Sequence, residues 1–335
     1  MLGSSCCAKS QGDAGLSIVR AVAGLLFVVA TAGHAQAPVN WPIKSVRVIV
    51  PFAPGGGTDL TARPVSQKLS ESLGQQFVVD NRGGAGGAIG MELTAKSPPD
   101  GYTIMSVSSS FSATAATHKL SYDALDALVP VVEIGYAPNV LVVHPSLPAK
   151  TPRELVVLAR ANPGKLIYAS TGIGGLTHMA TELFATMAGI KMIHVPYKST
   201  GVAMPEMMAG QTQVMVAGML AARPFFANGR LRALGVTTAK RWPSLPNLPA
   251  MAEAVPGYDT GTYYGMFVPK GTPAAIVNRL NSEVNRILQD GGARNTLEAQ
   301  GMSASSGTPS AFAARVRKEY DDWVRVVRTS GLRVE

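Results

Sequence analysis

Short runs of apolar, β-branched residues alternate along this chain with longer stretches whose apolar positions recur every three or four residues. "VRVIV" (46–50) precedes a helical pattern over 60–73, and "QFVVD" (76–80) precedes one over 86–96. "YTIMSVS" (102–108), "KLIYAS" (165–170), "MIHV" (192–195), "QVMVAG" (213–218) and "LRALGVTT" (231–238) are each followed by a helical or turn segment. This rhythm predicts an α/β protein with mostly parallel sheets flanked by helices. Thr151-Pro152 and Thr272-Pro273 each read as an N-cap followed by proline at the first helical position, while Gly74 and Gly164 read as stops. Pro64 opposes a helix that starts cleanly at Asp59, because it removes one main-chain hydrogen bond. An irregular first turn or a later start is therefore expected there.

Two extended segments that end in proline-rich punctuation, "NVLVVHPSLP" (139–148) and "YYGMFVPKGTP" (263–273), read as crossings between two domains. Paired as hinge strands, they make 139–261 an inserted second lobe and join 38–138 to 262–335 as the first. The patterns in "TPAAIVNRLNSEVNRILQD" and "SAFAARVRKEYDDWVRVV" place one apolar face on each closing helix, to pack back onto that first lobe.

The N-terminus changes the picture of where the protein works. Arg20 precedes the apolar run "AVAGLLFVVATAG" (21–33), and Ala35-Gln36-Ala37 closes it, as in a secretory signal cleaved after Ala37. The run is too short for a spanning helix, which needs about 20 apolar residues. Export to the periplasm is expected. Both cysteines, Cys6 and Cys7, would leave with the signal, so disulfides, thiol catalysis and cysteine-bound metals are excluded for the mature chain. The 335-residue chain carries a net charge of +9, and loss of Lys9, Arg20 and Asp13 leaves +8. The Lys and Arg residues are scattered, which argues against nucleic acid and is compatible with a small anionic ligand.

Candidate chemistry lies in two glycine-bearing loops, each between a strand and a helix. "PFAPGGGTDLTARP" (51–64) has three consecutive glycines before Thr58 and Asp59, and "STGIGGLTHMATELF" opens at Ser170. In open α/β sheets, ligands bind beyond the carboxyl ends of strands, where helix N-termini present unpaired N–H groups. Neither loop holds Lys or Arg over 52–59 or 170–178. An anion there would rest on backbone N–H groups, water and the hydroxyls of Thr58, Ser170, Thr171 and Thr177. Arg63 and Lys198 read as a helix-surface charge and a loop charge. Asp59 reads as a helix cap or the partner of a ligand ammonium, so that Asp59→Asn leaves stability nearly unchanged.

"NRGGAGGAIG" (81–90) departs from the dinucleotide spacing, with Ile89 at the third glycine's place; it reads as a helix start packed closely on the sheet. His118, His144, His178 and His194 lack metal-ligand spacing, and Met204, Met207, Met208 and Met215 read as core or pocket wall. No nucleophile beside a base is visible, which weighs against a periplasmic hydrolase.

"WPIKSVRVIVPFAPGGGTDLTARP", "FVVDNRGGAGGAIGMELTAKSPPDGYTIM", "STGIGGLTH", "HVPYKSTG", "GRLRALGVTTAKRWPSLPNLPAMAEAVPGY" and "YYGMFVPKGTP" together resemble, in order, the Bug-type solute receptors of tripartite tricarboxylate transporters. The resemblance implies a monomeric, two-lobed periplasmic binding protein without cofactor or catalytic set. It would close on a carboxylated ligand and deliver it to a small and a large integral-membrane subunit. It also implies ligand contacts from Phe52, Ala53, Gly55, Gly56, Gly57, Thr58 and Asp59 in the first loop. In the second loop it implies contacts from Ser170, Thr171, Gly172, Gly174, Gly175, Thr177 and His178, with Ser108 and Tyr197 as further candidates. Ser199 stands where the family usually has glycine, Gly175 where serine is common, and no acidic residue occurs near 217. A receptor that feeds a sensor kinase instead of a permease is left open by the sequence.

Overall fold

The structure, a computed structural model, describes residues 40–330. The expected export signal, 1–37, lies outside the described residues. From β1 (Val46–Val50) the chain passes through α1 (Gly57–Leu73), β2 (Phe77–Asn81), α2 (Ala88–Ala95), β3 (Thr103–Ser108), α3 (Ser110–Thr117), the single turn α4 (Ala124–Ala127) and the long β4 (Leu128–Val143). Next come α5 (Pro152–Ala161), β5 (Ile167–Ser170), α6 (Leu176–Ala188), β6 (Ile193–Pro196), α7 (Thr200–Met208), β7 (Val214–Gly218), α8 (Met219–Ala227) and β8 (Arg232–Val236). The strand β9 (Gly261–Pro269) then returns, and α9 (Ala274–Gln289), α10 (Gly292–Ala299), β10 (Ser303–Ala304) and α11 (Pro309–Ser330) follow.

The strands order as β2-β1-β3-β9-β4-β7-β5-β6, with β8 and β10 also paired to β4. Parallel pairing is confined to the outer strands, β1 with β2 and β3, and β5 with β6 and β7. All pairs made by β4 and β9 are antiparallel, so the sheets are mixed. The reason is topological: the chain runs out along β4 and returns along β9, so these two strands lie side by side in opposite directions.

β4 changes partners along its length. Leu128 to Pro138 pair with β9, and from Asn139 onward the strand pairs with β7 and β8. Pro138 has no N–H to give to a ladder, so the switch falls where one hydrogen bond is already missing.

α1 runs unbroken through Pro64, from an N-cap at Gly56 to a left-handed Gly74, so the expected irregular or late start is not found. Its cohesion comes from tertiary packing: Ala62, Val65 and Leu69 are buried along one face, which outweighs the single bond lost at proline. Thr151 caps α5 as expected, accepting from the Glu154 N–H. Thr272 does not cap α9; its hydroxyl donates to the Pro269 carbonyl, and Pro273 takes the cap position. α9 buries Ile276, Leu280, Val284 and Ile287 against the sheet, a stripe worth roughly 1.5–3 kcal/mol per side chain. In α11, the Phe312 ring meets Tyr263 edge-on at 5.2 Å and fills the space left by Gly265, where an added Cβ would lie 2.2 Å from the ring.

Among the described residues, no helix is long and apolar enough to cross a membrane.

Candidate ligand-binding site

Five helices begin at one small cavity, each directly after a strand or a short loop from one. α1 contributes Gly56, Gly57 and Thr58, α3 contributes Ser110 with the preceding Ser108, and α6 contributes Leu176 and Thr177. α7 contributes Ser199 and Thr200, and α8 its N-cap Gly218. Asn139 of β4 and Thr262 and Tyr264 of β9 also line it, so these two paired central strands form part of its wall. The cavity measures about 40 Å³. That is space for about three water-sized groups.

No Lys, Arg, Asp or Glu lines this cavity. Its field comes from backbone: each helix N-terminus carries the equivalent of about +0.5 charge, and in α1, α3, α6 and α8 no side chain caps the first turn. Convergent uncapped N–H groups surrounded by hydroxyls suit an anion with several acceptor oxygens. Among the described residues no cluster of His, Asp or Glu is arranged to hold a metal ion.

The two glycine loops meet at this place, but their residues divide. Phe52, Gly56, Gly57, Thr58, Ser108, Thr171 and Thr177 line the cavity. Thr171 and Thr177 are fixed to each other, the Thr171 N–H donating to Thr177 Oγ1 at 2.8 Å with the two hydroxyls 2.9 Å apart. The structure does not bring Ala53, Gly55, Asp59, Ser170, Gly172, Gly174, Gly175, His178 or Tyr197 to the cavity wall. Ala53 N–H donates across the cleft to the Lys198 carbonyl at 3.3 Å. Ser170 is buried with its hydroxyl 2.6 Å from His194 Nε2, and its carbonyl accepts from the Tyr197 N–H. The Gly174 N–H donates to His178 Nδ1 at 3.0 Å, which commits both groups to the loop itself.

Asp59 needs a different account from simple capping. It accepts from the Gly55 N–H, pairs with Arg63 at 2.8 Å and accepts from Asn81 Nδ2. Burial alone would raise its pKa, but the hydrogen bonds from Arg63, Gly55 and Asn81 outweigh it and hold the carboxyl below its ordinary value. Asp59 is therefore ionised, and turned toward Arg63 and Asn81. Arg63 is thereby a structural partner rather than a free surface charge.

Several glycines serve contact between the lobes. A Cβ on Gly86 (φ +62°) would lie 2.6 Å from the Ile173 carbonyl oxygen, and one on Gly201 would lie 2.9 Å from the Gly55 and Pro54 main chain. The "NRGGAGGAIG" segment thus packs on the sheet, where a Gly90 Cβ would meet Pro51 at 2.6 Å, and also touches the opposite loop. The Thr117 hydroxyl donates to the Gly174 carbonyl at 3.1 Å, and Trp323 packs in a small apolar cluster with Ala113, Leu176 and Met179. These contacts close the cleft.

Ser110 just after "YTIMSVS" and Gly218 at the end of "QVMVAG" obey the same strand-then-helix rule that marks the two loops, so that signal could have found them. Asn139, Thr262 and Tyr264 reach the site only through strand pairing, which no local pattern encodes. A larger cavity, about 730 Å³, lies beside α11. Its charges are largely committed to one another, Arg315 to Glu133 and Lys318 to Asp322, so the small cleft cavity has the stronger claim as the anion site.

The profile of the family described as "Tripartite tricarboxylate transporter family receptor" matches residues 61–332. The chain is 35% identical to Protein BugT of Bordetella pertussis over 96% of this chain and all of that one. Among solved structures it is similar to R. palustris Rpa4515 with adipate, at 37% identity and a TM-score of 0.84, covering 87% of this chain and 98% of that one. It is also similar to MatC from Rhodopseudomonas palustris with bound malate, at 30% identity and a TM-score of 0.82, covering 86% of this chain and all of that one.

Proposed function

Because the chain belongs to the tripartite tricarboxylate transporter receptor family, a family of periplasmic solute-binding receptors, we propose that it captures one small organic carboxylate between its lobes and delivers it to the small and large membrane subunits of such a transporter. One observation carries this reading: five helix N-termini converge on an uncharged cavity at the crossing of the two lobes. A carboxylate there gains charge-assisted hydrogen bonds from main-chain donors at the helix starts. The adipate and malate found in two similar receptors support the ligand class.

The exchange of β4's partners between Pro138 and Asn139, and the return of the chain in β9, support lobe boundaries at 38–138 with 262–335 and at 139–261. A ligand that touches both lobes favours the state in which both can touch it, so closure accompanies binding. The chain acts as a monomer, after export and cleavage following Ala37.

Calorimetry with a panel of mono-, di- and tricarboxylates tests this. One molecule should bind per chain with a micromolar or lower dissociation constant, which corresponds to about 8 kcal/mol or more. Binding of a sugar or an uncharged amide, with none of any carboxylate, would overturn the reading.

A further inference from the structure

Of the side chains that line the cleft cavity, one carries a buried polar atom with no partner: the Nδ2 amide of Asn139. Its orientation is fixed from the other side, because Thr262 donates its hydroxyl to Asn139 Oδ1 at 3.0 Å and leaves Nδ2 as the unused end. The Asn139 N–H is occupied as well, donating to Thr237 Oγ1 at 2.9 Å. A second donor stands nearby. Tyr264, buried on β9, has its hydroxyl between the starts of α1 and α8: a Cβ on Gly57 would lie 2.6 Å from Tyr264 Oη, and one on Gly218 would lie 3.4 Å from it. Burial pushes the Tyr264 phenol well above its ordinary pKa, so it remains a donor across the physiological range. Gly57 is the residue that leaves room for this hydroxyl.

Sealing the Asn139 amide from water without an acceptor is unfavourable unless something in the cavity accepts from it, and the Tyr264 hydroxyl stands close enough to donate to the same group. The helix N-termini already provide for one carboxylate. We infer that Asn139 and Tyr264 select ligands with a second oxygen acceptor, so that the solute is a short oxo, hydroxy or dicarboxylic acid rather than a plain monocarboxylate or an amino acid. Amino acids are disfavoured because no carboxylate lines the cavity to receive an ammonium, Asp59 being committed to Arg63 and Asn81. Asn139 is also the first residue of β4 to pair with the second lobe, so the bond that reads the ligand forms where the chain crosses between lobes. This inference rests on the carboxylate reading above and adds its selectivity.

The test is calorimetry of the full mature chain with propanoate, lactate, pyruvate, malonate, malate, adipate and glutamate. Wild type should favour members that carry a second oxygen over propanoate by about tenfold or more, and bind glutamate poorly. Asn139→Leu and Tyr264→Phe should each lose about tenfold on the favoured members and little on propanoate, with melting curves that report intact folding. Asn139→Asp, which places an acceptor where the donor stood, should lose more and serves where Asn139→Leu misfolds. Equal ranking of the probes in wild type and all variants would overturn the inference while leaving the proposed function intact. If no carboxylate binds wild type, adipate included, the proposed function falls and this inference with it.

Discussion

The imidazoles of His178 and His194 stack with centroids 4.1 Å apart and planes 14° from parallel, directly behind the second glycine loop. Tyr168 stacks on His194 at 4.8 Å and donates its hydroxyl to Glu182, while His194 Nε2 meets the Ser170 hydroxyl. His178 Nδ1 accepts the Gly174 N–H, a role that requires that nitrogen to be unprotonated.

Acid should therefore loosen the binding loop. Burial, with His178 beside it, holds His194 at about 4 against an ordinary 6.5, and burial lowers His178 too, against a smaller opposing pull from Glu182 and alongside a lowering by His118. The folded state favours the neutral rings, so their contribution is complete above about 6.5 and declines as the pH falls from there toward 4. Melting temperature followed from pH 8 to 4 should fall in that window, and His194→Phe should flatten this part of the curve. Identical curves for both proteins would exclude the stack as the source.

Gly201 offers a test of closure that separates it from folding. It lies in the first turn of α7 without positive φ, so alanine suits its backbone and raises helix propensity by up to about 1 kcal/mol. The added methyl would nevertheless stand 2.9 Å from the main chain of Gly55 and Pro54 in the opposite lobe. Gly201→Ala should keep or slightly raise the melting temperature of the free protein, and lower carboxylate affinity about tenfold or more. Wild-type affinity would show that the lobes need not approach this closely.

Asp59→Asn should now weaken the fold, contrary to the expectation from capping alone. The amide keeps an acceptor for Gly55 but loses the ion pair to Arg63, in a side chain only 4% exposed. A loss of about 1.5–3 kcal/mol is expected in urea unfolding, since hydrogen bonds to a charged group are at stake. A variant as stable as wild type would mean that Arg63 contributes nothing here.

Trp323 should report ligand by fluorescence. It is buried among Ala113, Leu176 and Met179, and Leu176 belongs to the helix whose first turn lines the cavity. Trp41 packs in the core against Phe77 and Tyr102, and the Trp242 indole donates to the Gly301 carbonyl away from the cleft. An emission change on carboxylate titration should disappear in Trp323→Phe, while calorimetric binding persists.

The alternation of strands and helices and the two glycine loops that open α1 and α6 were legible because period, proline and glycine are local signals. The division of labour within the loops was not. Gly174 and Gly56 look alike in sequence, yet one supports contact with Thr117 and His118 of the other lobe while the other opens a helix at the cavity. The same limit applies to Pro64. Its cost is local and visible, but the packing of Val65 and Leu69 that overrides it depends on the distant α9 and α10 against which α1 rests.

The placement of β9 bears on the order in which the molecule can be made. This strand lies between β3 and β4, so the sheet that contains the earliest strand has a gap at its centre until residue 269 has been synthesised. The strands β5 to β8, by contrast, come with the end of β4 from one uninterrupted stretch and can assemble first. The half that begins the chain is thus the last to be completed. A polypeptide released before β9 would expose two unpaired strand edges that the finished protein keeps hidden, the kind of surface on which aggregation starts.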